Sequence, residues 1–117
     1  MKAVLLISHG SRSPKTKREI ELLVKFLKRK SRIGIFEYAF LEIESPNIPD
    51  GIRMCVAKGA SAIVVLLNFL NSGRHVDKDI PGIIKEERKK YPRVSIRITT
   101  PVGQHPKISD LFLGLIN

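Results

Sequence analysis

The chain has 117 residues, 43% of them apolar and 27% charged, with one cysteine, no tryptophan and a net charge of +10 from 21 basic and 11 acidic side chains. That is the size and composition of one folded domain, and it excludes disorder, collagen-like repeats and coiled coil. No apolar run approaches the roughly 18–20 residues of a bilayer span, so no membrane partner is expected. Cys55 stands alone, which excludes an internal disulfide and a cysteine-type zinc site. The first residues lack the cleavage signal of a secretory leader, and the cytoplasm is the expected compartment.

The excess of positive charge attracts polyanions. Much of it lies in two runs, Lys28-Arg29-Lys30 and Glu86-Glu87-Arg88-Lys89-Lys90, where cations in a last helical turn complement the helix dipole. Phe26, Phe36, Phe40, Phe69 and Phe112 fall in apolar segments and not on a basic stacking surface, which argues against a nucleic-acid partner. A small polycarboxylate or phosphate accounts for the charge equally well.

Residues 2–8 form a continuous apolar run of strand length. Ser13-Pro14 then reads as N-cap and first helical residue, and Ile20, Leu23, Val24 and Leu27 keep the spacing of one buried helix face to about residue 30. Residues 33–41, rich in β-branched and aromatic side chains, predict a second strand. Ser45-Pro46 is expected to open a second helix carrying Ile48, Ile52 and Val56 and ending near Gly59. Residues 61–67 predict a buried strand. Asp79-Ile80-Pro81 is expected to start a helix that turns Ile80, Ile83 and Ile84 inward and ends before Pro92. Residues 94–99 alternate like a strand, and Ile108, Leu111, Phe112 and Leu115 again keep helical spacing.

Strict strand-helix alternation predicts an α/β fold, a single three-layer domain with a four-stranded parallel sheet and helices on both faces. Ligands of such sheets bind beyond the carboxyl ends of the strands. The residues just there are polar: Ser8 to Arg12, then Glu42, Glu44 and Ser45, then Asn68 to His75, then Gly103, Gln104 and His105. All three histidines fall on that edge. Imidazole binds borderline divalent metals and exchanges protons near neutral pH. Glu42 and Glu44, two apart on a strand, are alternative carboxylate ligands or proton acceptors.

Several chemistries are excluded at this edge. A phosphohistidine-type phosphatase needs an arginine before its histidine, and Ser8 occupies that position. Gly10 stands alone, without a dinucleotide-binding turn or a P-loop. Ser11 beside His9 has no nucleophile-elbow context.

The runs His9-Gly10-Ser11-Arg12, Ala39-Phe40-Leu41-Glu42, Phe69-Leu70-Asn71-Ser72-Gly73-Arg74-His75-Val76-Asp77-Lys78-Asp79-Ile80-Pro81 and Gly103-Gln104-His105-Pro106 resemble the small CbiX-type sirohydrochlorin cobaltochelatases of the class II chelatase family. The likeness covers essentially the whole chain in order; Leu67 and Ser72 depart from it, standing where many relatives carry proline. It implies that residues 1–117 form one chelatase domain, a half-lobe that works as a homodimer with its cleft between protomers. It implies His9 as metal ligand and proton acceptor and His75 as second metal ligand, both catalytic. Ser45, Leu70, Asn71, Ser72, Gly73 and Arg74 would contact the tetrapyrrole. Arg12 and Arg74 suit paired hydrogen bonds to its carboxylates, and Glu42 and His105 are placed with the substrate-binding residues.

The implied reaction is insertion of a divalent metal into sirohydrochlorin, a tetrapyrrole polycarboxylate, in cobalamin-type biosynthesis. The metal, Co2+ first and then Ni2+ or Fe2+, is a substrate, and no cofactor is permanently bound. A ferrochelatase for siroheme and a non-catalytic metal or tetrapyrrole carrier are the alternatives.

Overall fold

Lys2–Ser8 forms β1, the strand around which the rest of the sheet is built in the computed structural model, which describes residues 1–117. After β1 come α1 (Pro14–Lys30), β2 (Ile35–Phe40), α2 (Ile48–Ala57), β3 (Ala62–Leu67), a five-residue π turn (His75–Asp79) continuous with α3 (Ile80–Lys90), β4 (Ser95–Pro101) and α4 (Ile108–Ile116). The four strands are parallel in the order β2-β1-β3-β4. Ala3 pairs with Ile35 and Ser8 with Phe40 on one side of β1, while Lys2 pairs with Ala62 and Ile7 with Leu67 on the other. Six of the seven β1 residues are buried, as a strand covered on both faces requires.

Alternation along β1 divides the core. Ala3, Leu5 and Ile7 face α2 and α3, joining Ile52, Cys55, Ile80 and Ile84 in a cluster of sixteen buried residues. Leu6 faces α1, where it meets Ile20, Val24 and Phe40 in a cluster of only four. Each fully buried Leu or Ile contributes about 1.5–3 kcal/mol, so the α2/α3 side carries most of the packing. On the thinner side a groove of about 350 Å³ stays open between α1 and the ends of β3 and β4, lined by Leu23, Leu27, Leu66 and Pro101 among others.

The observed elements correct the predicted ones in four places. Ser45-Pro46 does not open α2: its peptide bond is cis, and the cap is Asn47, whose side chain accepts from the Asp50 N–H at 2.9 Å. The third helix starts at Ile80, where Asp79-Ile80-Pro81 places it, but a turn already wound from His75 runs into it. The second strand is shorter than 33–41, and the fourth runs on to Pro101. The fourth helix forms where its spacing places it, yet none of its residues is buried; Leu111, Phe112, Leu113, Leu115 and Ile116 all face outward, because no layer of this chain lies over them.

Candidate metal centre

The connection after β1 runs toward β2 through α1, whereas the one after β3 runs toward β4 through α3, so β1 and β3 flank the point where the winding of the sheet reverses. A crevice opens at such a switch point. His9 leaves β1 there and His75 begins the π turn after β3. Pairing continues past the strand ends: Leu41 N–H donates to the Ser8 carbonyl at 2.9 Å and Glu42 N–H to that of His9 at 3.1 Å. These bonds carry Glu42 alongside His9.

Gly10 makes the close approach possible. Its φ is +107°, and a Cβ there would lie 1.9 Å from the Glu42 carbonyl oxygen, so only glycine fits. On the other flank, Asn68 N–H donates to Ile7 at 2.9 Å and the Asn68 amide donates to Ser8 Oγ at 3.1 Å, holding the exit of β3 against that of β1.

Three donors converge as a result. Single ligand atoms of His9, Glu42 and His75 all lie within 4.8 Å of one another. His9 Nε2 and Glu42 Oε1 are 2.6 Å apart, with both side chains about half exposed. The His9 and His75 rings meet edge to face with centroids 5.1 Å apart, and Phe69 packs edge-on against His9 at 6.4 Å. Two imidazoles and one carboxylate, open on one side, are donors that hold a divalent ion and release it again.

The structure separates the two candidate carboxylates. Glu44 turns away, and its Oε1 accepts the Ser11 N–H at 2.8 Å. Strand alternation does not reach it, because β2 ends at Phe40 and Ile43 takes φ 72°.

His105 also stands apart from the cluster. Its Nδ1 accepts the Lys107 N–H at 3.0 Å, a local turn bond before α4, and its side lines the apolar groove beside α1. The loop that carries it is tied to the exit of β3, since Gly103 N–H donates to Phe69 at 3.0 Å and the Gln104 amide donates to the Leu70 carbonyl at 3.2 Å.

The remaining candidates lie in the loops after β1, β2 and β3. Leu70, Asn71, Ser72, Gly73 and Arg74 are exposed and line a cleft of about 260 Å³ that ends at His75. Arg12 lines a groove of about 490 Å³ between α1 and the Ile43-Glu44 turn. Ser45 is exposed, and its carbonyl accepts Lys17 Nζ at 2.8 Å. Three contributors had no distinct sequence signal as site residues: Phe69, and Lys17 and Arg18, which share the groove with Arg12. Lys17 and Arg18 sit about one turn into α1 among many other cations, so charge alone does not single them out.

Comparison with known proteins decides the family. The sequence model of the CbiX family matches residues 3–117. The chain belongs to the CbiX family. A sirohydrochlorin ferrochelatase of Arabidopsis thaliana chloroplasts is 35% identical over 114 residues, 97% of this chain and 49% of that protein. A sirohydrochlorin cobaltochelatase of Saccharolobus islandicus is 33% identical over 124 aligned positions, covering 100% of this chain and 94% of that one. Among solved structures, the sirohydrochlorin chelatase SirB from Bacillus subtilis subspecies spizizenii in complex with cobalt superposes with a TM-score of 0.89 at 29% identity, over 98% of this chain and 49% of SirB. This CbiX chain thus spans about half the length of the plant protein and of SirB, and nearly all of the Saccharolobus protein.

Proposed function

We propose that the chain is a sirohydrochlorin metal chelatase, a lyase of the cytoplasm that inserts a divalent metal into the tetrapyrrole. The convergence of His9, Glu42 and His75 at the switch point carries this reading. Insertion exchanges one M2+ for two pyrrole N–H protons, so the site needs both metal donors and proton acceptors. His9, Glu42 and His75 hold the incoming ion. As the macrocycle nitrogens displace them, His9 takes one proton and Glu42, 2.6 Å from it, the other; both are exposed enough to pass their protons to water. Arg12, in the loop after β1, and Arg74, next to His75, bind peripheral carboxylates of the substrate by paired hydrogen bonds, with Ser45, the 70–73 loop and His105 as further substrate contacts.

Cobalt is the metal we assign. Two imidazoles and a carboxylate bind cobalt, nickel and iron alike, but the relative of matching length, that of Saccharolobus, is named a cobaltochelatase. Iron is the second reading, favoured by the plant relative, and nickel the third.

The chain works as a homodimer. Supporting this, α4 leaves five large apolar side chains exposed, an unusual outward stripe for a single protomer, and this one lobe corresponds to half of SirB. The test is spectroscopic insertion with purified protein, sirohydrochlorin and each of Co2+, Ni2+ and Fe2+. Metallation faster than the protein-free reaction, fastest with cobalt, supports the assignment; macrocycle binding without acceleration makes the chain a carrier. Light scattering that returned an active monomer would remove the dimer.

A further inference from the structure

His75 Nδ1 lies 2.7 Å from Asp79 Oδ2. The pair spans the π turn, in which the Ile80 N–H bonds the His75 carbonyl five residues back. A turn closed from i to i+5 takes more than four residues, so side chains four apart come nearly into line, and a helical Cβ leans toward the N-terminus, bringing Asp79 back over His75. Asp79 is not engaged in capping α3: its own backbone is already helical (φ −66°, ψ −51°) and its side chain makes no cap bond. Its carboxylate is directed to the imidazole alone.

We infer that Asp79 is a positioning residue for the metal centre: it holds His75 in the Nδ1–H tautomer and so keeps Nε2, with its lone pair, as the nitrogen offered to the incoming ion. The physical reason is one-sided. A carboxylate only accepts, so the hydrogen in the 2.7 Å contact sits on Nδ1. A neutral imidazole carries one N–H, and fixing it on Nδ1 leaves Nε2 unprotonated. The same bond restrains the ring and increases its strength as a donor, and losing such a partner costs about 10–100-fold in metal affinity or activity. His9 has a different arrangement, since its Nε2 is paired with Glu42, itself one of the three donors. The two histidines are therefore unequal: His9 shares a carboxylate with the ion, whereas His75 has one of its own.

The kinetic consequence rests on the chelatase reading, but the tautomer does not, and the experiment separates them. Long-range ¹⁵N–¹H spectra of metal-free protein at about pH 8.5, above the ordinary histidine range, are expected to show His75 as Nδ1–H. Asp79→Asn, isosteric and able to keep the fold, should lose that preference. Asp77→Asn removes the same charge from an exposed position on the same turn and should leave it intact. Titration with Co2+ alone should then show binding weakened about 10–100-fold in Asp79→Asn, and no further weakening when Asp79→Asn is added to His75→Ala. Insertion by Asp79→Asn should fall in kcat with KM for sirohydrochlorin unchanged. An unaltered His75 tautomer in Asp79→Asn, or weakening that adds fully to that of His75→Ala, overturns the inference. If the wild-type chain inserts no metal while the tautomer and cobalt results stand, the chelatase reading falls and the positioning role survives.

Discussion

Gly10 and Glu42 touch backbone to backbone, the Cα of one so near the carbonyl of the other that the space for a Cβ is already filled. Gly10→Ala must push the loop after β1 away from the loop after β2, and it places a side chain at φ +107°, a conformation costing about 1–3 kcal/mol. We expect a lowered urea midpoint together with a loss of cobalt affinity larger than the stability change explains, because His9 and Glu42 are separated. Unchanged cobalt binding in a destabilised protein would show that the donors do not depend on this contact.

The three histidines should divide two against one. His9→Ala and His75→Ala each remove a donor from the cluster and are expected to lower insertion by about 100-fold or more, with circular dichroism unchanged since both lie outside the core. His105→Ala breaks only a turn bond to Lys107 and should lose less than either. The assignment fails if His105→Ala abolishes insertion while the other two retain it.

Stability should fall on the alkaline side. Lys58 is held above its ordinary value of 10.5, first by its hydrogen bond to Glu37 and then by the charge of that carboxylate; Glu37 is only 7% exposed. A raised folded value means that the pair stabilises fully below 10.5 and that its contribution disappears as the pH rises through the folded value. Lys58→Met should therefore cost about 1 kcal/mol near pH 8, a modest amount because the lysine end is in water, and the gap to wild type should narrow as the pH rises above 10.5 through the raised folded value. Tyr38, raised chiefly by burial, weakens both proteins alike in that range. Urea midpoints at the two pH values provide the measurement.

Cys55 should be inert in the folded chain. It is fully buried against the α2/α3 side of the sheet, and burial, followed by the charge of Glu37, pushes its thiol up to about 12. The thiolate is the reactive species, so iodoacetamide at about pH 8 is expected to label native protein negligibly and unfolded protein once per chain. Rapid native labelling, read by mass spectrometry, would contradict the packing of α2.

The parallel sheet was legible because β1 and β3 read as unbroken apolar runs between helical patterns, and α1 because Pro14 and the spacing from Ile20 to Leu27 agree. The edge carrying His9 and His75 followed from strand–helix alternation alone. Four features did not follow. Ser45-Pro46 has the form of a helix start, and only the Asn47 cap places the start of α2 at Ile48. Period 2 placed Glu42 and Glu44 together, but the positive φ of Ile43 breaks that period. A 3.6-residue pattern does not reveal a turn closed at i+5, so the winding from His75 was hidden although the His75–Asp79 spacing was in view. The apolar stripe of α4 showed a face to be covered without showing what covers it.

His9 and Glu42 come one and two residues after β1 and β2, strands that lie side by side about 4.8 Å apart, whereas His75 comes eight residues after β3, at the start of the π turn. The His9–Glu42 side of the crevice cannot widen without breaking the ladder between β1 and β2. Segments that open early in native-state fluctuations are poorly buried ones, and β1 is the reverse. The reach between His9 and Glu42 is therefore a dimension of the sheet, as fixed as its strand spacing, and adaptation to ions of different radius falls to side-chain rotation and to His75 at the end of its loop.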